Sequence, residues 1–274
     1  MSSYNPIGIF DSGYGGLTIF SEIYKELPNY DYIYIGDNAR TPYGTRSYDV
    51  VYQYTLEAVK KLFSLGSHLI ILACNTASAK SLRTIQQHDL PLIDPDRRVL
   101  GVIRPSAEVI DKYTTTKHVG ILGTEGTVLS ESYLLEINKL FPEIKVVQEA
   151  CPMWVPLVEN NEIGNEGCDY FIKRNITNLL QKDNAIDAVI LGCTHYPLLL
   201  ESIKKFLPSS INIITQGEIV ALSLADYLKR HPEIDKKCSK NAHLRFYTTE
   251  SPEIFKRRSQ IFLKKEILVD HLIL

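Results

Sequence analysis

No run in the sequence approaches the roughly 20 consecutive apolar residues that a membrane-spanning helix needs, although 45% of the 274 residues are hydrophobic. A membrane partner is therefore not expected. Charge of one sign is missing too. Lys and Arg number 30 against 32 Asp and Glu, a formal net charge of −2. The basic footprint of a nucleic-acid-binding domain is absent, so no nucleic-acid partner is expected. The short run Lys256-Arg257-Arg258 reads as the solvated face of a helix. The opening MSSYNPIGIF has neither a charged n-region nor a long apolar h-region, so a signal peptide is not expected. Cysteines number only 5, and none form a Cys-X-X-Cys pair. That spacing argues against a redox dithiol or a disulfide framework and fits a reducing compartment, the cytoplasm. The glycine-rich turn Asp11-Ser12-Gly13-Tyr14-Gly15-Gly16 lacks the Gly-Lys-Ser/Thr ending of a phosphate loop, and Asp11 would repel a phosphate there.

Short apolar runs alternating with amphipathic stretches remain. Strands are expected at Ile7–Phe10, Tyr32–Ile35, Leu69–Cys74, from Val99, at His118–Gly123, Lys145–Gln148, Ala188–Leu191, Ile211–Ile214 and Leu244–Tyr247. Helices are expected between them, among them Leu17–Leu27, Ser47–Leu65 closed by Gly66, Thr76–Gln87 capped by Thr76 or Asn75, and Val128–Leu140. Pro91–Arg98 reads as a crossover, and Pro105 and Pro197 as helix openers. The alternation predicts an α/β fold of mostly parallel sheets flanked by helices. His118-Val-Gly-Ile-Leu-Gly-Thr124 echoes Pro6-Ile-Gly-Ile-Phe-Asp-Ser12, which suggests two similar lobes. The expected division is 1–98 plus 209–274 for the first lobe and 99–208 for the second, with a site in the cleft between them.

The chemistry concentrates in a phrase written twice. Ala188–Leu191 runs into Gly192-Cys193-Thr194-His195, and Leu69–Leu72 runs into Ala73-Cys74-Asn75-Thr76. Open α/β sheets place their chemistry at such strand ends. A single cysteine there is most often a small buried hydrophobe; two in matching contexts are harder to read as packing. Zinc does not suit Cys193 and His195, which are one residue apart, with Cys74 alone. Acyl transfer from Cys193 with His195 as base would leave Cys74 idle. Proton transfer uses both thiols, one removing a proton from one face of a carbon and the other supplying one to the opposite face. A two-lobed amino-acid-binding module is the alternative, but it has no need of thiols. The loop Gly36–Gly44 reads equally well as a surface turn or a functional loop. Cys151, Cys168 and Cys238 read as structural, Trp154 as packing, and the histidines other than His195 as surface or satisfied groups.

Asp11-Ser12-Gly13, Gly36-Asp37-Asn38-Ala39-Arg40-Thr41-Pro42-Tyr43-Gly44, Cys74-Asn75-Thr76-Ala77-Ser78, Cys151-Pro152 through Val155-Pro156-Leu157-Val158-Glu159, and Leu191-Gly192-Cys193-Thr194-His195-Tyr196-Pro197 resemble, in order, the motifs of the glutamate racemase family, within the aspartate/glutamate racemase superfamily. The resemblance implies interconversion of L- and D-glutamate without cofactor or metal, D-glutamate for peptidoglycan, and a homodimer. It implies that Cys74 deprotonates D-glutamate and Cys193 L-glutamate, with Asp11 assisting the first thiol and His195 the second. Asp37 and Glu159 match further acidic catalytic positions. Asp11, Ser12, Tyr43, Gly44, Asn75, Thr76, Thr194 and His195 match substrate-binding positions. Another acidic amino acid, such as aspartate, is the alternative substrate. The chain departs from the pattern at Thr215-Gln216, where many members have Asp-Ser, and at Ser106, where glycine or alanine is common.

Overall fold

The computed structural model describes residues 4–264 and 266–274. The first part of the chain forms β1 (Ile7–Asp11), α1 (Gly16–Glu26), β2 (Tyr32–Gly36), α2 (Tyr48–Ser64), β3 (Leu69–Leu72), α3 (Asn75–Thr84), α4 (Leu90–Ile93) and β4 (Arg98–Gly101). The next part forms α5 (Ile103–Val109), β5 (His118–Gly123), α6 (Glu125–Leu129), α7 (Ser132–Leu140), β6 (Lys145–Ala150), α8 (Trp154–Glu159), α9 (Glu166–Lys182), β7 (Ala188–Gly192), α10 (Leu200–Phe206) and β8 (Asn212–Ile214). The last part forms α11 (Gly217–Arg230), α12 (Pro232–Asp235), β9 (Leu244–Thr248), α13 (Pro252–Leu263) and β10 (Val269–His271).

Two parallel sheets result, one ordered β10-β9-β2-β1-β3-β4 and the other β6-β5-β7-β8. The central strands β1, β3 and β7 are buried at every residue, which is why they read as unbroken apolar runs rather than alternating ones. The order β2-β1-β3-β4 repeats as β6-β5-β7-β8. The echo between Pro6–Ser12 and His118–Thr124 therefore marks topologically equivalent strands, β1 and β5. Cys74 and Cys193 likewise follow the equivalent strands β3 and β7.

The sheet boundaries differ from the expected ones by a few residues. Arg98–Gly101 pairs with β3 in the first sheet, and Asn212–Ile214 pairs with β7 in the second. A run such as Val99–Ile103 carries no mark of which edge it will join; the partner strand decides. The return of the chain adds β9 and β10 beside β2. Within the elements, Glu131 adopts a left-handed backbone (φ 54°) and splits the expected helix Val128–Leu140 into α6 and α7. Helix α3 begins one residue earlier than expected, capped by Cys74 rather than by Asn75 or Thr76, and runs on through a π-helical turn over Ile85–Asp89 into α4. Helix α4 occupies the start of the expected crossover. Pro197 lies in a 3-10 turn, Tyr196–Leu199, that leads into α10.

Candidate active site

The carboxyl ends of β1, β3, β5 and β7 converge on one cavity of about 290 Å³, the scale of a site for a small molecule. Ser12, Tyr43, Gly44, Cys74, Asn75 and Thr76 line it from the first lobe. Thr124, Cys151, Glu159, Cys193, Thr194 and His195 line it from the second. Both thiols are therefore wall groups of the same space, and both are buried. Three contacts hold the lobes together at its rim. Thr76 Oγ1 meets Thr124 Oγ1 at 2.9 Å, Gly126 N–H donates to the Gly44 carbonyl at 2.8 Å, and Thr18 Oγ1 donates to the Thr194 carbonyl at 3.0 Å.

The glycine-rich turn after β1 has a steric purpose here. A Cβ on Gly15 would lie 2.2 Å from Thr194 Oγ1 and 2.4 Å from His195 Nδ1. Only glycine lets the Thr194-His195 loop of the second lobe approach that closely.

Cys193, His195 and Glu159 form a chain of contacts. His195 Nδ1 lies 3.9 Å from Cys193 Sγ, and Nε2 lies 3.0 Å from Glu159 Oε1. Burial opposes charge on this imidazole, but the bonds to Cys193 and Glu159 outweigh it and push its pKa up to about 10. At neutral pH His195 thus holds a proton beside the Cys193 sulfur. Glu159, which the resemblance gave as a further acidic position, reaches the site through this histidine and also lines the cavity.

Cys74 has different surroundings. As the N-cap of α3, its sulfur accepts the Ala77 N–H at 3.4 Å, and Ser12 Oγ lies at 3.3 Å. Burial pushes this thiol up to about 12, and the Asp11 carboxylate adds to the shift, while Ser12 and the Ala77 N–H pull the other way. Cys74 therefore rests as a thiol. Asp11 is itself raised, first by burial, against the pull of His195 and of the Gly16 and Gly13 N–H groups. Its Oδ2 accepts the Gly13 N–H at 2.9 Å, and its Oδ1 has no hydrogen-bond partner among the described residues. Asp11 is not among the residues lining the cavity; its influence on Cys74 is electrostatic.

Asp37 also lies outside the set of residues that line the cavity. Its Oδ2 accepts Arg40 Nε at 2.7 Å and the Tyr43 hydroxyl, and its Oδ1 accepts Thr249 Oγ1 at 2.8 Å. The carboxylate is saturated by the loop it organises, and Thr249 is too remote in sequence to have been anticipated. With its hydroxyl committed to Asp37, Tyr43 has its main-chain N–H left to offer a ligand.

Among the described residues that line the cavity there is no lysine or arginine. A carboxylate would be met by uncharged donors at the start of α3, aided by that helix's dipole, and by Thr194. Thr124 and Cys151 line the cavity without having been expected there. The echo of Ser12 by Thr124 was the signal for the first. Cys151 has a thiol raised well above its usual range by burial, and Sγ donates to the Glu149 carbonyl, so it serves as an apolar wall. Trp154 packs on Tyr196 with ring centroids 4.8 Å apart and donates to Asn175, a packing role as read from sequence.

The family model described as Asp/Glu/Hydantoin racemase matches residues 18–224. Glutamate racemases of Streptococcus pyogenes serotypes M5 and M1 are 37% and 38% identical over 270 residues, covering 98% of this chain and 98% of theirs. Among solved structures, glutamate racemase isoform RacE1 from Bacillus anthracis superposes with a TM-score of 0.89 at 36% identity, covering 98% of both chains. The Francisella tularensis glutamate racemase, solved in complex with D-glutamate, gives 0.87 at 32% identity over 98% of this chain and 97% of that one.

Proposed function

Because the chain belongs to the Asp/Glu/Hydantoin racemase family, we propose that it interconverts L- and D-glutamate by proton transfer between two thiols, without a cofactor. One observation carries this reading: the ends of two equivalent strands, β3 in one lobe and β7 in the other, bring Cys74 and Cys193 into a single cavity. Cys193, as thiolate, takes the α-proton of L-glutamate, leaving the electron pair on the α-carbon and its carboxylate. Cys74 then delivers its thiol proton to the opposite face, giving D-glutamate and a Cys74 thiolate. The reverse reaction exchanges the roles. His195, held protonated by Glu159, steadies the Cys193 end, and Asp11 biases Cys74 toward its protonated form. Ser12, the main chain at Tyr43 and Gly44, and Asn75, Thr76 and Thr194 bind the substrate. The barrier is lowered by holding both thiols at the same carbon and by donors aimed at the developing charge.

The family resemblance extends the reading to a homodimer in the cytoplasm that supplies D-glutamate for peptidoglycan. No helix among the described residues is long and apolar enough to cross a membrane. The test is chiral chromatography of glutamate incubated with the purified protein after exhaustive dialysis against chelator. L- and D-glutamate should both run to an equal mixture, and Cys74→Ala and Cys193→Ala should each abolish the conversion. Racemisation of aspartate but not glutamate would overturn the substrate assignment, and full activity in either cysteine variant would overturn the mechanism.

A further inference from the structure

Two of the positions that depart from the family pattern, Gln216 and Ser106, meet each other. Gln216 Nε2 lies 2.9 Å from Ser106 Oγ, 3.0 Å from the Val102 carbonyl and 2.8 Å from the Tyr133 hydroxyl. Its Oε1 accepts Asn75 Nδ2 at 2.7 Å, and Asn75 Oδ1 accepts the Tyr133 hydroxyl at 2.7 Å. The result is a closed ring of three side chains, Asn75, Gln216 and Tyr133, all nearly sealed from solvent.

The ring has a fixed polarity. A main-chain carbonyl can only accept, so Val102 orients the Gln216 amide with its nitrogen toward that carbonyl and its oxygen toward Asn75. Ser106 donates its hydroxyl proton to the same Val102 carbonyl at 3.2 Å, which leaves its lone pairs for Gln216. Asn75 must then turn its nitrogen to Gln216 and its oxygen to Tyr133. One of the two Asn75 N–H bonds is used by Gln216. Asn75 lines the cavity beside Cys74, and the second N–H is the donor it has left.

We propose that Gln216 is a positioning residue, holding the Asn75 amide so that an N–H, not the carbonyl, meets a substrate carboxylate. This rests on the glutamate reading above. Without Gln216 the amide can turn over, and its carbonyl would repel the carboxylate. Gln216 stands before α11, after the last strand of the second sheet, and reaches across to the first residue of α3. The ring thus ties ligand orientation to contact between the lobes.

A double-mutant cycle on purified full-length protein tests it, with KM and kcat measured for both enantiomers and the melting temperature followed alongside. Gln216→Ala should raise KM for L- and D-glutamate about tenfold, the worth of one misdirected hydrogen bond, with kcat changed far less. Asn75→Ala should raise KM at least as much. On the Asn75→Ala background, Gln216→Ala should raise it no further, because the residue acts through Asn75. Tyr133→Phe removes the donor to Asn75 Oδ1 and should behave the same way; it carries the test should Gln216→Ala not fold. Additive KM effects, or variants that lose melting temperature with KM unmoved, would show Gln216 to be merely structural and overturn the proposal. Wild-type turnover of glutamate is the control. Its absence would sink the substrate reading and this inference with it, whereas additivity with normal wild-type turnover would sink this inference alone.

Discussion

His195 sits between a thiol and a carboxylate, and its charge depends on both. Burial alone would strip the imidazole of its proton; Cys193 and Glu159 restore it. Glu159→Gln keeps the shape and removes one of those two supports. The pKa of His195 should fall by about 1 to 2 units, the usual worth of one nearby opposite charge. The alkaline limb of kcat/KM should move toward neutrality accordingly. It should move alike for L→D and D→L, since the equilibrium constant between enantiomers is unity and ties the two values together. Stability should follow the same sign. A histidine whose folded pKa is raised stabilises fully below its unfolded value of about 6.5, and the contribution is lost as pH rises through about 10. Urea titrations across that window should show a smaller decline for Glu159→Gln than for the wild type. An unchanged pH–rate profile in the variant would mean that Glu159 does not set the charge of His195.

The loop after β1 and the loop after β7 pack so closely that a methyl group on Gly15 would overlap both Thr194 and His195. Gly15→Ala should therefore displace the second loop, cut kcat/KM by two orders of magnitude or so, as a misplacement near 1 Å does, and cost about 1 to 3 kcal/mol of stability. Stopped-flow or polarimetric rates and a denaturant midpoint check both; a fully active variant would show that the loop has room to spare. That contact was not legible in the sequence, because Gly15 and His195 meet only once two sheets have been assembled. What was legible were the strand ends. Unbroken apolar runs such as Ala188–Leu191 announce buried parallel strands, and a cysteine after each of two of them stands out. Edges and breaks were harder. The three-residue β10 is partly exposed and carries no apolar pattern, and the break at Glu131 depends on backbone conformation that composition does not reveal. The saturation of Asp37 by Thr249 and the ring through Gln216 share one obstacle: partners separated by much of the chain.

The two sheets share one four-strand order and face each other across a cavity, with Cys74 and Cys193 at equivalent strand ends. The lobes differ in what surrounds the sulfur. Cys193 faces a protonated imidazole, while Cys74 caps a helix near a carboxylate and is held as a thiol. In the proposed mechanism the proton delivered to the product is not the one removed from the substrate. The most direct measurement of this is the isotopic composition of product formed from unlabelled L-glutamate in D₂O during the first few per cent of conversion. Transfer between two solvent-exchanged thiols predicts D-glutamate carrying deuterium at Cα in essentially every molecule, with the remaining L-glutamate still largely unlabelled. D-glutamate that retains the original α-proton would mean a single base serving both faces, and would contradict the two-thiol site.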